Sequence, residues 1–169
     1  MGARLLPRTL PELFSYSLAI ERAAAQRYAE LERFMREVGV EQVADEFESI
    51  GREEQEQYEL IKLGTAGRAL PEMAGWELSW HYLGDKAAAK VSPRSTREAI
   101  ASALAFERHT QAFYADVAEH SRDDAVRAFS AEMANDEQRH VARLEALLER
   151  EANRAGFESD EPPSLLPTP

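Results

Sequence analysis

The two halves of the chain repeat one pattern. Residues 19–22, with the sequence AIER, correspond to residues 105–108, with the sequence AFER, and a Tyr-Ala pair follows each segment at the same distance. Residues 54–57 (EQEQ) correspond in the same way to residues 137–140 (EQRH). The length of chain between the two matched segments is nearly equal in each half. A duplicated unit of this kind predicts two copies of one helical hairpin that are related by a pseudo-twofold axis.

In each unit the apolar residues have the spacing of helices that pack against one another. Apolar residues recur in mixed steps of three and four, which is the spacing of bundle helices. Thr9 and Glu12 form a capping-box pattern at the start of the first helix, and Gly39 is suited to end it. The predicted helices cover about 9–39, 40–63, 95–120 and 124–155, and they form hairpins at 9–64 and 95–155.

The connection between the hairpins, residues 65–94, is too long for a hairpin turn and is rich in Pro, Gly and aromatic residues. Such a segment is typical of a crossover from one end of a bundle to the other, and we predict a short helix at 76–83. The predicted fold is all-α: an antiparallel four-helix bundle over 9–155, with this long crossover between helices 2 and 3. His81 in the crossover is interpreted as a packing residue, because no seam carboxylate lies at helical spacing from it. The acidic, proline-rich tail, 156–169, is predicted to be disordered.

A glutamate interrupts the apolar seam of every predicted helix. A buried carboxylate is costly without a partner, and the midpoints of the four seams are expected to meet at one level of the core. On the fourth helix Glu137 and His140 lie one turn apart, which makes them a natural pair of metal ligands. On the first helix the predicted seam includes Phe14, Leu18, Glu21, Tyr28, Leu31 and Met35.

Four carboxylates at one level would repel one another and take up protons unless cations balanced their charge. Two divalent cations would cancel that charge. A carboxylate-rich site with one imidazole suits iron(II), manganese(II) or, less specifically, zinc. The neighbouring Glu53, Glu56 and Glu59 lie off the seam and are interpreted as solvated surface charges. The predicted metal ligands are Glu21, Glu54, Gln57, Glu107, Glu137 and His140.

Composition excludes several other classes of protein. The formal net charge of −11 argues against a nucleic-acid partner and suits the binding of cations. The sequence has no cysteine, so disulfides, thiol catalysis and cysteine-ligated metals are excluded. The sequence has no apolar run long enough to predict a membrane span, and its N-terminus lacks the pattern of a secretory signal. We therefore expect a cytoplasmic protein.

Over about residues 10–151 the sequence resembles the ferritin-like diiron family, most closely its rubrerythrin-type branch. That family places one Glu on each of two helices and a Glu-x-x-His on each of the other two. The resemblance implies two divalent ions, with iron as the first expectation and manganese or zinc as alternatives. Bridging carboxylates are expected from Glu54 and Glu137, and terminal ones from Glu21 and Glu107. The second Glu-x-x-His pattern is incomplete, because Gln57 stands in place of its histidine.

Two further positions bear on the implied chemistry. Thr110 stands where rubrerythrins usually carry a second glutamate on the third helix. Tyr28 and Tyr114, two turns from the first- and third-helix glutamates, either donate hydrogen bonds to those carboxylates or are ordinary core aromatics. The rubredoxin domain of rubrerythrins requires cysteine, so redox chemistry here would need an external electron donor.

Three functions remain open at the level of sequence. The first is a redox-active diiron protein that acts on peroxide or oxygen or serves as a ferroxidase. The second is an iron-handling or iron-binding protein, and the third is a structural bundle with a degenerate metal site. The resemblance also implies a homodimer or a larger homo-oligomer.

Overall fold

The computed structural model describes residues 6–73 and 93–159. In these two ranges the chain forms four α-helices and no strand, so the predicted all-α class is confirmed. None of these helices combines the length and apolar character that are needed to span a bilayer. The helices are α1 (Leu10–Glu37), α2 (Glu41–Gly64), α3 (Thr96–His120) and α4 (Asp124–Ser159).

The helix starts follow local capping chemistry. The Thr9 side chain accepts a hydrogen bond of 3.3 Å from the backbone N–H of Glu12, and the Ser95 side chain accepts one of 3.1 Å from that of Glu98. Each cap therefore satisfies a backbone donor that has no partner within its own helix. Between α1 and α2, Gly39 has a φ of 76°, a conformation that glycine adopts without steric cost.

Some of the features predicted from the sequence lie in stretches of the chain that the structure does not describe. The predicted short helix at 76–83, His81 within it, and residues 160–169 of the predicted tail lie outside the described residues. The fourth helix continues through residues 156–159, which the sequence assigned to the tail. A glycine such as Gly156 costs a helix only about 1 kcal/mol, which is too little to end it by itself.

The core consists of two apolar clusters at opposite ends of the bundle. The first cluster takes residues from the C-terminal halves of α1 and α4 and the N-terminal halves of α2 and α3; the second takes the complementary halves. Consequently α1 and α4 run in one direction and α2 and α3 in the other. Because α2 ends beside the second cluster and α3 begins beside the first, the two hairpins are joined across the length of the bundle. The largest fully buried side chains are Tyr28, Phe47, Met35, Ile50, Ile100 and Leu144 in the first cluster and Leu13, Ile20, Phe113, Tyr114 and Met133 in the second.

The buried face of α1 differs from the predicted seam near its N-terminus. Leu13 and Ile20 are completely buried, whereas Phe14 and Leu18 are half-buried. Two neighbouring stripes are apolar in this part of the helix, so periodicity alone does not choose between them. Phe14 packs edge-on against Phe129 of α4, with ring centroids 5.2 Å apart, at the margin of the second cluster.

Close packing between α1 and α2 depends on one glycine. A Cβ atom added at Gly51 would lie 2.8 Å from the Cβ of Tyr28, which is shorter than real contacts between such atoms. The absence of a side chain at Gly51 therefore lets the two helices approach at this level. The approach fixes the position from which the Tyr28 side chain enters the centre of the bundle.

Candidate metal centre

A layer of charged side chains separates the two apolar clusters. Every helix contributes one glutamate to this layer, and α4 adds a histidine one turn after its glutamate. All five side chains are almost completely removed from solvent, with the histidine the most exposed at 5%. The members of this charged layer are Glu21, Glu54, Glu107, Glu137 and His140.

The imidazole of His140 lies at the centre of three of the carboxylates. Its Nδ1 atom is 2.8 Å from Glu54 Oε1, 3.7 Å from Glu137 Oε2 and 4.0 Å from Glu107 Oε2. One ligand atom from each of these four residues lies within 4.8 Å of all the others. Glu21 borders this group of four beside Glu54, whose charge acts on it.

The charged layer contains polar atoms that the protein does not satisfy. Glu21, Glu54, Glu107 and Glu137 each have one buried carboxylate oxygen without a hydrogen-bond partner, and Nδ1 of His140 has none either. The 2.8 Å contact between His140 and Glu54 is close enough for a hydrogen bond but lacks the required geometry. Buried acceptors without partners are unusual in folded proteins. Several of them facing one another form a donor set that fits divalent cations.

Burial and mutual repulsion favour protons on the metal-free carboxylates. Burial, followed by the charges of Glu54 and Glu107, raises the pKa of Glu137 well above its ordinary value. Burial and then Glu54 do the same to the pKa of Glu21. The same two causes raise the pKa of Glu107 to about 7. The layer therefore holds protons that a bound cation would displace.

The neighbouring carboxylates favour the charged form of His140 in the metal-free protein. Burial alone would lower its pKa, but contact with Glu54, the charges of Glu54 and Glu107 and a hydrogen bond with Glu53 together raise it to about 9. The Nε2 atom of the imidazole lies 3.1 Å from Oε2 of Glu53. The other oxygen of Glu53 accepts a 2.6 Å hydrogen bond from Nη1 of Arg143.

The interpretation of Glu53 as a solvated surface charge is therefore wrong. Its side chain remains 42% exposed, but the carboxylate is held between His140 and Arg143. Although burial opposes this, those two partners lower the pKa of Glu53. The repeat contained a signal for it, because an acidic residue immediately precedes the seam glutamate in both halves, as Glu53 and as Asp136.

Two tyrosines connect the hairpins through the charged layer. The hydroxyl of Tyr114 on α3 donates a 2.8 Å hydrogen bond to Glu21 on α1. The hydroxyl of Tyr28 on α1 donates to Glu107 on α3. Each tyrosine therefore holds a carboxylate of the other hairpin. What these bonds contribute to metal binding stays a prediction.

Gln57 and Thr110 lie outside the group of four. Gln57 is half-buried, and its amide Nε2 donates to Sδ of Met133 at 3.1 Å. Thr110 is buried one turn after Glu107, and its hydroxyl donates to the backbone carbonyl of Phe106 at 3.1 Å. That Gln57 binds a metal, or that Thr110 supports one, stays a prediction.

Comparison with known proteins adds a family and a fold. A family model described as rubrerythrin matches residues 12–148. The crystal structure of an uncharacterised conserved protein from Magnetospirillum magnetotacticum MS-1 superposes with a TM-score of 0.74. The two sequences are 25% identical, and the alignment covers 84% of this chain and 95% of the other. No curated protein matches the chain.

Proposed function

Because this chain belongs to the rubrerythrin family, we propose that its charged layer is a dinuclear metal centre that binds iron. The observation that carries the proposal is the set of five buried ligand atoms without hydrogen-bond partners. The donor set of four carboxylates and one imidazole suits iron(II) or manganese(II), and zinc less specifically. Two such ions would neutralise the carboxylates and replace the protons that they hold.

The environment of each side chain supports a division of roles. Glu54 and Glu137 are the glutamates of the Glu-x-x-Gln and Glu-x-x-His segments on α2 and α4, and we assign them as the ligands that would bridge the two ions. Glu21 and Glu107 are each held by a tyrosine hydroxyl, which favours them as terminal ligands with a fixed orientation. Nδ1 of His140 would be the nitrogen donor for one of the two ions.

We further propose a redox role for this centre. Two iron(II) ions bound there would supply electrons to peroxide or oxygen and would be reduced again by an external electron donor. The protein contributes orientation, because the tyrosines hold two of the carboxylates. It also limits the access of water, because the two apolar clusters enclose the layer on both sides along the bundle.

Gln57 supports a second candidate function. It replaces an imidazole by an amide that bonds Met133 instead of the carboxylates. The second ion would then be held without a histidine, and weaker binding suits an iron-handling or iron-binding protein that takes up and releases its metal. If the loss of this histidine abolished metal binding altogether, the protein would be a structural bundle with a degenerate site.

Metal titration tests the proposed centre. Metal-free protein titrated with manganese(II) or iron(II) in a calorimeter should take up as many as two ions per chain. The tighter ion should lie on the His140 side, because imidazole is the better donor. A double variant, Glu107→Ala with Glu137→Ala, serves as the control. Equal binding by the wild type and the double variant would show that the layer is not a metal site.

The rate of iron oxidation separates the two candidate functions. Iron(II) bound to the wild type should be oxidised by hydrogen peroxide faster than iron(II) mixed with the double variant. Binding without faster oxidation would favour the iron-handling function.

Assembly and location are proposals as well. We expect a homodimer or larger oligomer, and a location in the cytoplasm, on the basis of the family. Light scattering that finds only 19.0 kDa particles at micromolar concentration would contradict the assembly.

A further inference from the structure

A cleft of about 180 Å³ lies between α2 and α4 and leads from the surface to the charged layer. Leu60 and Arg139 line it and are exposed. Glu54 and Glu137 line it and are buried. The cleft therefore has a mouth at the surface and a floor at the carboxylates.

Ligand atoms without partners line the floor of the cleft. They include one oxygen each of Glu21, Glu54 and Glu137, together with Nδ1 of His140. The mouth carries the carboxylates of Glu53, Glu56 and Asp136. Two of these carboxylates are paired with arginines, Glu53 with Arg143 at 2.6 Å and Asp136 with Arg139 at 2.9 Å. The carboxylate of Glu56 adds negative charge at the mouth, and such charge raises the local concentration of cations.

Gln57 lies between the mouth and the floor. It is half-buried, between the exposed Leu60 and the buried Glu54 on the same helix. Its 3.1 Å hydrogen bond to Met133 links α2 to α4 across the cleft. An ion that moves from the mouth to the floor has to pass this bridge.

The other sides of the charged layer are closed by packed side chains. The two apolar clusters cover it along the bundle axis. Toward α1 and α3, the buried rings of Tyr28 and Tyr114 are bonded to the carboxylates themselves. Two other cavities of the described part of the chain lie at the ends of helices, and no glutamate of the layer lines either of them.

We propose that the cleft between α2 and α4 is the path by which divalent cations reach the charged layer, and that Gln57 sets the rate of passage. The proposal rests on the proposed function, since it presumes that the layer binds metal. It adds the route, the class of ligand at the mouth, and the residue that limits the rate.

Obstruction of the mouth tests the route. Metal-free protein would be mixed with cobalt(II) in a stopped-flow instrument, and binding would be followed by the visible absorption of the bound ion. Leu60→Trp places a large ring at the mouth and should slow association by about tenfold. Dissociation should slow by the same factor, because ions enter and leave by one path, so the equilibrium affinity stays unchanged. Leu63→Trp is the matched control, because Leu63 is exposed on the same helix but does not line the cleft, and its rates should equal those of the wild type.

Removal of the bridge tests the role of Gln57. Gln57→Ala should accelerate both association and dissociation by about fivefold or more, within the range that single substitutions change association rates. The control is Gln55→Ala, which removes an exposed glutamine that bonds Glu59 and does not line the cleft. Circular dichroism would establish that all four variants retain the helical content of the wild type.

The outcomes separate this inference from the proposed function. If the wild type binds cobalt(II) and Leu60→Trp binds it at the wild-type rate, the route is wrong and the metal centre stands. If Leu60→Trp is slow but Gln57→Ala keeps the wild-type rates, the cleft is the path and the role of Gln57 is overturned. If the wild type binds no cobalt(II), the proposed centre fails and the route fails with it.

Discussion

The imidazole of His140 presents one nitrogen to Glu53 and the other to the charged layer. Nε2 lies 3.1 Å from Oε2 of Glu53, and Nδ1 faces Glu54 at 2.8 Å. A carboxylate that accepts the N–H of Nε2 leaves the lone pair of the neutral ring on Nδ1, which is the form that binds a metal. Glu53 thus orients the ring without itself belonging to the group of four.

We predict that Glu53→Gln weakens metal binding by about 10- to 100-fold, the usual cost of losing such a support. The charged acceptor that fixes the ring is replaced by a neutral amide of similar size. Calorimetric titration of the metal-free protein with manganese(II) would measure the change.

Glu46→Gln is the matched control for this substitution. Glu46 accepts a 2.6 Å hydrogen bond from Nε of Arg143, as Glu53 does from Nη1, but no contact joins Glu46 to His140. Its loss should leave metal affinity close to that of the wild type. An equal loss in both variants would assign the effect to the Arg143 ion pairs rather than to the histidine.

Removal of the Tyr114 hydroxyl should destabilise the protein. In Tyr114→Phe, Oε1 of Glu21 loses its 2.8 Å hydrogen bond while both groups stay buried. A buried acceptor left without its donor costs about 1–3 kcal/mol in the free energy of unfolding. Urea denaturation of the metal-free protein would measure this loss.

The control is Tyr58→Phe on α2, whose ring is half-exposed beneath Lys62. Surface substitutions of this kind usually change stability by about 0.5 kcal/mol or less. A loss in Tyr114→Phe no larger than that in Tyr58→Phe would show that the bond to Glu21 contributes little.

Gln57→His should tighten the looser of the two ions. Imidazole replaces an amide that bonds Met133, and we expect a gain in affinity of about tenfold, comparable to other changes in ligand support. If the native centre is redox-active, the variant should also keep or raise the rate at which peroxide oxidises bound iron(II).

A second variant tests whether the residue at position 110 limits the rate of iron(II) oxidation. Adding Thr110→Glu to Gln57→His restores a carboxylate one turn after Glu107, where Thr110 now bonds the backbone. A degenerate centre should recover binding in the single variant and oxidation only in the double variant. Equal iron(II) affinity in the wild type and both variants would mean that position 57 does not face the metals.

The metal-free protein should lose stability as pH rises. The pKa of Glu107 is raised from its ordinary value of 4.5 to about 7, and that of His140 from 6.5 to about 9. In each case the folded state keeps a proton that the unfolded state has already released. Stability therefore falls from pH 4.5 to about 7 through Glu107 and from pH 6.5 to about 9 through His140.

Thermal unfolding at two pH values would measure this effect. A change of 1 kcal/mol in the free energy of unfolding shifts the Tm of a protein of this size by about 2–4 °C. We therefore expect the Tm at about pH 9 to lie more than about 5 °C below that at about pH 6. Saturating manganese(II) should remove most of the difference, because bound cations take the place of the protons. A metal-free Tm that is level or rises across this range would contradict the prediction.

Helical periodicity was sufficient to predict the buried face of α3. Ile100, Glu107, Thr110 and Tyr114 all follow one seam and are all buried. The same reasoning failed at the start of α1, where Leu13 is buried in place of Phe14. There the choice between two apolar stripes depends on the partners that α3 and α4 provide, and a local period carries no information about them.

Two contacts across the α2–α4 interface could not be read from the sequence. Glu53 lies about 100° around the helix from Glu54, off the predicted seam, yet its side chain is long enough to reach His140. That partner lies 87 residues away in sequence. Gln57 lines the cleft together with Glu54 and His140, and its amide bonds Met133 of α4, a partner that the seam does not indicate. Side-chain reach and distant partners decide such contacts, and neither is visible in a period of three and four.

The division of the charged layer between the two hairpins has a consequence for the lifetime of the protein. Within each hairpin the helices approach one another closely along their length, whereas helices of different hairpins do so at few places. Glu21 and Glu54 belong to one hairpin, and Glu107, Glu137 and His140 belong to the other. A metal bound by both hairpins stabilises their union by an amount that grows with the concentration of free metal. Scarcity of metal would then shift the population toward separated hairpins, and proteases that degrade opened chains would adjust the abundance of this protein to the metal supply.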